Sequence, residues 1–219
     1  MKKNPLIVAL DVDSLQEARV LVKKLKKDVE CFKIGSVLFT AEGPDVVRMV
    51  QDEGGKVFLD LKFHDIPNTV AKACEAAARL GVFLLNVHAS GGEEMMRAAC
   101  RGAVLAPTRI IGVTVLTSHS SEAGMDSRVV ALARLCKKSG LAGVVCSPEE
   151  IADVRMACGK NFLIVTPGIR QAGSSLDDQK RIATPAEAIR RGADYIVVGR
   201  PILEAKDPLK VVRSILETL

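Results

Sequence analysis

The stretch that decides the fold is KVFLDLKFHDIPNTVAKACEAAARLGVFLLNVH, residues 56–88. Its first part, Lys56–Leu61, is an apolar run of the kind that forms a buried strand, and Val82–His88 is a second such run. Between them the amphipathic stretch Thr69–Leu80 predicts a helix. Strands joined through a helix pair in parallel, because a parallel pair needs a long crossover connection. The stretch therefore predicts a β–α–β unit of an α/β protein.

The same alternation of apolar runs and amphipathic stretches continues on both sides of this unit. The other predicted strands are Leu6–Leu10, Cys31–Gly35, Ile110–Leu116, Gly143–Cys146, Phe162–Thr166 and Tyr195–Gly199. The other predicted helices are Leu15–Lys27, Asp45–Glu53, Glu93–Gly102, Arg128–Lys138, Pro148–Ala157, Pro185–Arg191 and Val211–Leu219. Eight parallel strands with right-handed crossovers in 219 residues predict a closed (β/α)8 TIM barrel. No linker or break in composition divides the chain, so we predict a single domain over residues 1–219.

A doubly wound open sheet is the alternative fold for such alternation. That fold usually carries a glycine-rich fingerprint after its first strand, whereas Asp11-Val12-Asp13 follow here. The helix boundaries agree with the predicted pattern. Ser14 is a candidate N-cap, Pro148 and Pro185 fall at first-turn positions, and three glycines follow helix ends, namely Gly81, Gly140 and Gly192.

Composition excludes several classes of protein. Hydrophobic residues make up 48% and charged residues 26%, which is typical of a folded globular protein and argues against disorder. The net charge is +5, but with no Trp and one Tyr there is little aromatic surface on which nucleic-acid bases could stack. The six cysteines have no C-x-x-C or metal-ligand spacing. Because no segment resembles a signal peptide or reaches membrane length, we expect a cytoplasmic protein that binds neither nucleic acid nor membrane.

Polar residues interrupt the apolar pattern at the carboxyl ends of the strands, where (β/α)8 barrels carry their active sites. Each has an ordinary alternative: Lys33 could be a solvated lysine, His88 a hydrogen-bonded core histidine, and His64 a turn residue without a chemical role. Their occurrence as a series predicts a site at the mouth of the barrel. In chain order the series is Asp11, Lys33, Asp60 with Lys62, His88, Thr117 with Ser118, Arg170, and Gly199 with Arg200.

The densest part of the series is DLKFHDIPNT, residues 60–69. Alternation along a strand projects Asp60 and Lys62 to the same side of the pleat, and Asp65 falls in the turn before the next helix. A salt-bridged surface turn is the simple alternative for this pattern. At the end of a barrel strand, two carboxylates beside one lysine instead predict a catalytic cluster.

The last two strands predict a phosphate site. Gly199 and Arg200 precede a proline that suits the start of a helix, and backbone N–H groups, the helix dipole and a guanidinium all favour an anion there. The long polar loop at residues 167–181 predicts a closing lid with Arg170 and Gln179 as phosphate contacts. A plain strand-to-helix turn and a mobile surface loop are the alternatives.

Together these residues resemble the orotidine 5′-phosphate decarboxylase family, in particular its bacterial form. The resemblance implies a carboxy-lyase that converts orotidine 5′-phosphate to uridine 5′-phosphate (UMP) in de novo pyrimidine nucleotide synthesis. It also implies a homodimer with active sites shared at the interface, and no metal or organic cofactor. It spans essentially the whole chain and rests on the ordered motifs Ala9–Asp11, Phe32–Gly35, Asp60–Thr69, Asn86–Ala89, Val115–Ser118, Thr166–Arg170, Asp177–Gln179 and Val198–Pro201.

The resemblance also implies a role for each matching residue. Lys62 and Asp60 would lie at C6 of the pyrimidine, with Lys33 and Asp65 completing the set of catalytic charges. Loss of carbon dioxide leaves a carbanion whose lone pair lies in the ring plane, and the Lys62 ammonium would stabilise that charge and then donate the proton. The implied substrate contacts are Asp11 and Lys33 to the ribose, Asp65, Ile66 and Thr69 to the neighbouring subunit's site, Thr117 to the pyrimidine, and Arg170, Gln179, Gly199 and Arg200 to the phosphate.

Two other functions fit parts of the sequence. Keto-gulonate-phosphate decarboxylase and hexulose-phosphate synthase are related barrels that share D-x-K-x-x-D but use a metal-stabilised enediolate. The continuation Ile66–Thr69, the motif Leu116–Ser118 and Gln179 favour the nucleotide enzyme. A non-catalytic barrel that binds a phosphorylated ligand is the second alternative. Charge crowding over Asp60–Asp65 disfavours it, because simple binding does not require such crowding.

Overall fold

The computed structural model describes residues 4–116, 124–170 and 183–219. In these residues eight parallel strands close into a barrel in chain order, and β8 pairs with β1. This confirms the predicted (β/α)8 barrel and excludes the open sheet. The strands are β1 (Leu6–Ala9), β2 (Cys31–Gly35), β3 (Lys56–Phe63), β4 (Leu84–His88), β5 (Arg109–Val113), β6 (Gly143–Val145), β7 (Leu163–Thr166) and β8 (Tyr195–Val198).

Helices follow the strands around the outside of the barrel. Every predicted helix is present, but α2 and α9 are not predicted, because segments of seven and four residues are too short to display an apolar period. None of the helices in the described ranges is long and apolar enough to cross a membrane. The helices are α1 (Leu15–Leu25), α2 (Ser36–Glu42), α3 (Asp45–Asp52), α4 (Pro67–Arg79), α5 (Gly92–Gly102), α6 (Met125–Lys138), α7 (Ile151–Cys158), α8 (Pro185–Arg191), α9 (Arg200–Leu203) and α10 (Pro208–Glu217), with a 3-10 turn at Ala89–Gly91.

Most of the predicted helix boundaries are confirmed. The Ser14 side chain accepts a hydrogen bond from the Glu17 N–H, and Pro185 occupies the first turn of α8. The prediction for Pro148 is wrong, because α7 begins at Ile151 and residues 148–150 form a turn. That turn is stabilised by the buried Glu150 carboxylate, which accepts a hydrogen bond of 2.7 Å from the Ser147 N–H. The three glycines expected after helix ends do follow α4, α6 and α8.

The core has two layers, and alternation along the strands assigns residues to them. On β1, Leu6 and Val8 pack outward under the helices, whereas Ile7 and Ala9 pack inside the barrel. The inner layer is built mainly from aliphatic residues and is completed by Phe58 and Tyr195. The barrel interior is therefore a packed core, which leaves its carboxyl-terminal mouth as the place for a site.

Candidate active site

The alternation that builds the inner core also brings polar side chains to the barrel mouth. Continuing the inward series by two residues from Ala9 reaches Asp11, from Cys31 reaches Lys33, and from Phe58 reaches Asp60. These side chains line a cavity of about 550 Å³ at the mouth. The cavity is also lined by Lys62, Val113, Val115, Leu116, Val145, Pro167, Gly168, Arg170, Val197, Gly199 and Arg200.

Four of these residues form a chain of alternating charge. Lys33 Nζ lies 2.9 Å from Asp11 Oδ1 and 3.5 Å from Asp60 Oδ2, and Lys62 Nζ lies 2.7 Å from Asp60 Oδ1. The side chains of Lys33 and Asp60 are only 12% and 13% exposed. The alternative of a solvated Lys33 is therefore wrong, because its ammonium is withdrawn from water and paired with two carboxylates. Such a desolvated network keeps its charges in a defined geometry.

Gly35 gives this network its space. A Cβ at position 35 would lie 3.1 Å from Lys33 Nζ and 3.5 Å from Asp11 Oδ1. The first of these distances is shorter than ordinary van der Waals contact, so a larger residue would require the Lys33 ammonium to shift by a few tenths of an ångström. The Phe32–Gly35 motif thus supplies both the lysine and the room for its ion pair.

The predicted meeting of Asp60 and Lys62 is confirmed, but a regular pleat does not produce it. The register between β3 and β4 shifts after Leu59, and Lys62 has a φ of +52°. Among the described residues Lys62 is the only one besides glycine with positive φ. A bulge of this kind redirects side chains, and bulges are frequent beside active sites. The lysine therefore reaches Asp60 from an irregular strand end.

The charge state of Asp60 follows from its neighbours. Burial by itself raises the pKa of Asp60, but the positive charges of Lys33 and Lys62 and the hydrogen bonds from Lys62 and Asn86 outweigh that effect. The net result is a pKa below the ordinary aspartate value. Asp60 is therefore a carboxylate at neutral pH, and its negative charge lies 2.7 Å from Lys62 Nζ.

Asn86 belongs to this cluster, although the sequence pattern assigned it no role. Its Nδ2 donates to Asp60 Oδ1 at 2.6 Å, its Oδ1 accepts from the Lys62 N–H at 2.8 Å, and its side chain is fully buried. Its signal in the sequence is a polar residue at an inward position, between Leu84 and His88 on β4.

The residues expected to serve a neighbouring subunit do not line the cavity of this chain. Asp65, Ile66 and Thr69 are exposed at the start of α4, and Ile66 as a residue is 66% exposed. Asp65 Oδ1 accepts a hydrogen bond of 2.6 Å from the Ile66 N–H, and it forms no ion pair with any described residue. Within one chain, Asp65 does not complete the charges around Lys62.

Two histidines lie beside the cluster. The rings of His64 and His88 are 5.4 Å apart, and His88 is only partly exposed at the end of β4. Burial, then the nearby His64 and Lys62, lower the pKa of His88, while Asp60 opposes the shift. His88 is therefore neutral at pH 7, which adds no further positive charge beside Lys62.

The segments that follow β7 and β8 form another part of the mouth. Arg170 is nearly buried and its guanidinium donates to the Ile169 carbonyl at 3.1 Å. Gly199 faces Asp11, since a Cβ there would lie 3.4 Å from Asp11 Oδ2. The helix dipole expected after Gly199 contributes little, because α9 has only four residues. Anion binding at this end would depend on Arg170, Arg200 and backbone N–H groups.

Some predicted features lie outside the described residues. These are Thr117, Ser118, Gln179 and, of the predicted lid at residues 167–181, the part from 171 to 181. In the ranges that the structure describes, His, Cys, Asp and Glu side chains nowhere form a group of three or more suited to a metal ion.

Comparison with known proteins gives a consistent result. The family described as "Orotidine 5'-phosphate decarboxylase / HUMPS family" matches residues 4–215. A protein of Trichlorobacter lovleyi named orotidine 5'-phosphate decarboxylase is 49% identical over 230 residues, which cover 99% of this chain and 95% of that protein. Its counterpart of the same name from Moorella thermoacetica is 51% identical over 229 residues, covering 97% and 91%.

Solved structures agree with these relatives. The crystal structure of orotidine 5'-phosphate decarboxylase from Lactobacillus acidophilus has a TM-score of 0.85 and 38% identity, and covers 99% of both chains. An uncharacterized conserved protein from Geobacillus kaustophilus has a TM-score of 0.83 and 39% identity, covering 98% of this chain and 99% of the other.

Proposed function

The chain belongs to the orotidine 5'-phosphate decarboxylase / HUMPS family, and we propose that it converts orotidine 5′-phosphate to UMP in pyrimidine biosynthesis. It is a carboxy-lyase by this reaction. The observation that carries the proposal is the alternating chain Asp11–Lys33–Asp60–Lys62, which borders a cavity that is also lined by Arg170 and Arg200. The cavity thus combines a charged reaction centre with two arginines that follow β7 and β8.

Lys62 supplies the group that this decarboxylation needs. When the bond between C6 and the carboxylate breaks, its electron pair stays on C6 in the ring plane, where the ring π-system cannot delocalise it. An ammonium placed beside C6 stabilises that charge as it develops, and it then transfers one proton to C6. Water returns a proton to the neutral lysine. Lys62 fits this role because Asp60 holds its ammonium at 2.7 Å.

Asp60 has two roles in this proposal. Its carboxylate orients the Lys62 ammonium through the ion pair of 2.7 Å, and its negative charge would lie near the departing carboxylate of the substrate. Because the pKa of Asp60 is lowered, the negative charge is present throughout the neutral range. Repulsion between the Asp60 carboxylate and the carboxylate of the substrate favours release of carbon dioxide, because the substrate's negative charge is dispersed in the transition state.

The remaining residues bind the nucleotide. We assign the ribose hydroxyls to Asp11 and Lys33, and the assignment is supported by their position in the cavity lining and by the more than half exposed side chain of Asp11. We assign the phosphate to Arg170, Gln179, Gly199 and Arg200, and the pyrimidine edge to Thr117. Contacts with the phosphate, remote from C6, provide binding energy that organises the reaction centre.

The proposed assembly is a cytoplasmic homodimer. Asp65, Ile66 and Thr69 are exposed beside the mouth, and Ile66 presents an apolar side chain to solvent in the single chain. A partner that covers Ile66 would bury this apolar surface, which is favourable. In that arrangement Asp65 and Thr69 of one subunit reach the site of the other. The second carboxylate beside Lys62 then comes from the partner.

Ultraviolet absorbance of orotidine 5′-phosphate, followed with purified protein and with or without EDTA, tests the function. We expect the substrate to be consumed at the same rate in both cases, since Lys62 provides the positive charge. The sugar-phosphate enzymes of the same barrel group, with their metal-stabilised enediolate, are the second candidate. They predict no consumption of orotidine 5′-phosphate and an EDTA-sensitive reaction of a keto-sugar phosphate. A barrel that only binds its ligand would consume neither substrate.

A further inference from the structure

We propose that Asn86 is a positioning residue for the decarboxylation, a role that rests on the proposed function. Its buried amide holds the Lys62 backbone in the left-handed region and holds the Asp60 carboxylate beside the Lys62 ammonium. The two hydrogen bonds, of 2.8 Å and 2.6 Å, connect one side chain on β4 to the Lys62 backbone N–H and to the Asp60 carboxylate on β3. Asn86 itself does not line the cavity and is not placed against substrate.

The break between β3 and β4 creates the need for such a residue. Leu59 pairs with Leu85 and Phe63 pairs with Val87, so residues 60–62 of β3 lie opposite Asn86 alone. At this point the hydrogen-bond ladder between β3 and β4 provides no acceptor for the backbone N–H of Lys62. Because backbone N–H groups withdrawn from water require a partner, the Asn86 side chain takes the place of the missing strand carbonyl.

The conformation of Lys62 shows what this hydrogen bond maintains. A φ of +52° is disfavoured for a lysine, because its Cβ crowds the backbone. Such a conformation persists only where surrounding groups determine it. The N–H of Lys62 is fixed by Asn86, and its Nζ is fixed by Asp60. Asn86 also fixes Asp60. It therefore constrains the Lys62 backbone directly and the Lys62 ammonium through Asp60.

The orientation of the Asn86 amide is determined by its partners. The Lys62 N–H can only donate, so it must face the Asn86 oxygen. The Asp60 carboxylate can only accept, so it must face the Asn86 nitrogen. A flipped amide would oppose both partners, and an apolar side chain would satisfy neither. The asparagine therefore matches one donor and one acceptor that are presented together.

The test is Asn86→Leu, which keeps a similar side-chain size and removes both hydrogen bonds. We expect kcat for orotidine 5′-phosphate to fall by about 10- to 100-fold, because Lys62 and Asp60 each lose a positioning contact. We expect KM and the affinity for UMP to change by no more than about threefold, because ribose and phosphate contacts remain.

A matched control is Thr108→Val. It also removes a buried hydrogen bond, from Thr108 Oγ1 to the Val82 carbonyl at 2.7 Å, but at the opposite end of the barrel. We expect full kcat in this variant. An unchanged kcat in Asn86→Leu, or a parallel loss of kcat and UMP affinity, would contradict the positioning role.

Asn86→Asp provides a second variant of identical shape if Asn86→Leu does not fold. It keeps an acceptor for the Lys62 N–H but places a carboxylate against Asp60, so kcat should fall while KM is retained. Wild-type kcat in this variant would also overturn the proposal.

A crystal structure of either variant separates this proposal from the function. The proposal predicts that Lys62 leaves the left-handed region or that Asp60 turns away, and an unchanged Lys62–Asp60 geometry would refute it whatever the activity. Absence of turnover in the wild-type protein would instead contradict the proposed function.

Discussion

At the scale of single residues, the chemistry depends on charges that are partly removed from water. The Lys62 side chain retains 36% of its exposure, whereas Asp60 retains 13% and has two ammonium groups within 3.5 Å. Burial of a charge is costly unless it is paired, so these residues are mutually dependent. Removing one of these residues is expected to change the reaction and also to leave the charge of its neighbour without a partner.

The first prediction concerns Lys62→Ala. Removal of the ammonium takes away both the charge that stabilises the carbanion and the proton donor, so we expect turnover to fall by at least about 1,000-fold. Binding of UMP, measured by calorimetry, should remain within a few-fold of wild type. Lys160→Ala, which removes an exposed lysine on the loop before β7, serves as the control with normal activity. Near-normal turnover in Lys62→Ala would contradict the proposed role of Lys62.

The second prediction concerns pH and His88. Its pKa is lowered from the ordinary 6.5, so as pH falls through that value the unfolded chain takes up a proton that the folded chain does not. Unfolding then binds protons, and the free energy of unfolding decreases as pH falls. Denaturant titrations at about pH 7.5 and about pH 5.5 should show a smaller loss of stability for His88→Gln than for wild type. Equal losses would show that His88 is not responsible.

At the scale of elements, the barrel depends on contacts that join helices to strand starts. Arg155 on α7 donates to the carbonyls of Phe162 and Gly192, and its Nη2 lies 2.6 Å from Asp194 Oδ2. Asp194 in turn accepts a hydrogen bond from the Ile164 N–H at the start of β7. One side chain that is 19% exposed thus connects the segments that lead into β7 and β8.

The third prediction follows from this connection. Arg155→Met keeps an unbranched side chain but leaves two partly buried carbonyls and Asp194 without the guanidinium, so the free energy of unfolding should fall by about 3 kcal/mol. Arg213→Met removes an exposed pair with Asp28 and should cost no more than about 1 kcal/mol. Denaturant unfolding measures both variants. An equal cost for the two would show that burial does not determine the contribution of Arg155.

The fourth prediction belongs to the junction between β8 and α9. Arg200→Ala should reduce kcat/KM for orotidine 5′-phosphate by about 10- to 100-fold, mainly through KM, because a guanidinium contact to phosphate is lost. Orotidine, which lacks the phosphate, is the control substrate, and the variant and wild type should process it alike. An unchanged kcat/KM for the phosphorylated substrate would refute the assigned role.

At the scale of the whole molecule, the question is whether one chain forms a complete site. Asp65 lies in the turn before α4 and forms no ion pair within the described part of the chain, although its neighbours Asp60 and Lys62 are paired. In the proposed homodimer, its carboxylate would lie beside Lys62 of the partner subunit. The site would then consist of residues from two subunits, and the charge environment of Lys62 would be complete only in the dimer.

The fifth prediction tests this sharing by mixing two inactive variants. A dimer of one Lys62→Ala chain with one Asp65→Ala chain contains one site with both residues intact, so random reassociation should restore about a quarter of wild-type activity. The control mixture, Lys62→Ala with Asp60→Asn, should restore none, because both residues belong to the same chain's site. Restoration in neither mixture, or full activity in a monomeric variant, would contradict a shared site.

The sequence alone determined the barrel and most of the positions at its mouth. Apolar runs that alternate with amphipathic stretches require parallel strands and crossovers, and the two-residue period carries the inner series of β1, β2 and β3 to Asp11, Lys33 and Asp60. These are local properties, since each depends only on the order of residues within a segment. They can therefore be predicted without knowledge of which strands pair with each other.

Only the tertiary structure determined how the charges meet. The shift in register between β3 and β4 depends on pairing between segments about 25 residues apart, and no periodicity within either strand encodes it. That shift produces the left-handed Lys62 and leaves its N–H to the Asn86 side chain. Burial of Lys33 between two aspartates likewise depends on β1, β2 and β3 lying side by side. The sequence placed the charges at one end of the barrel, and contacts between distant segments set their geometry.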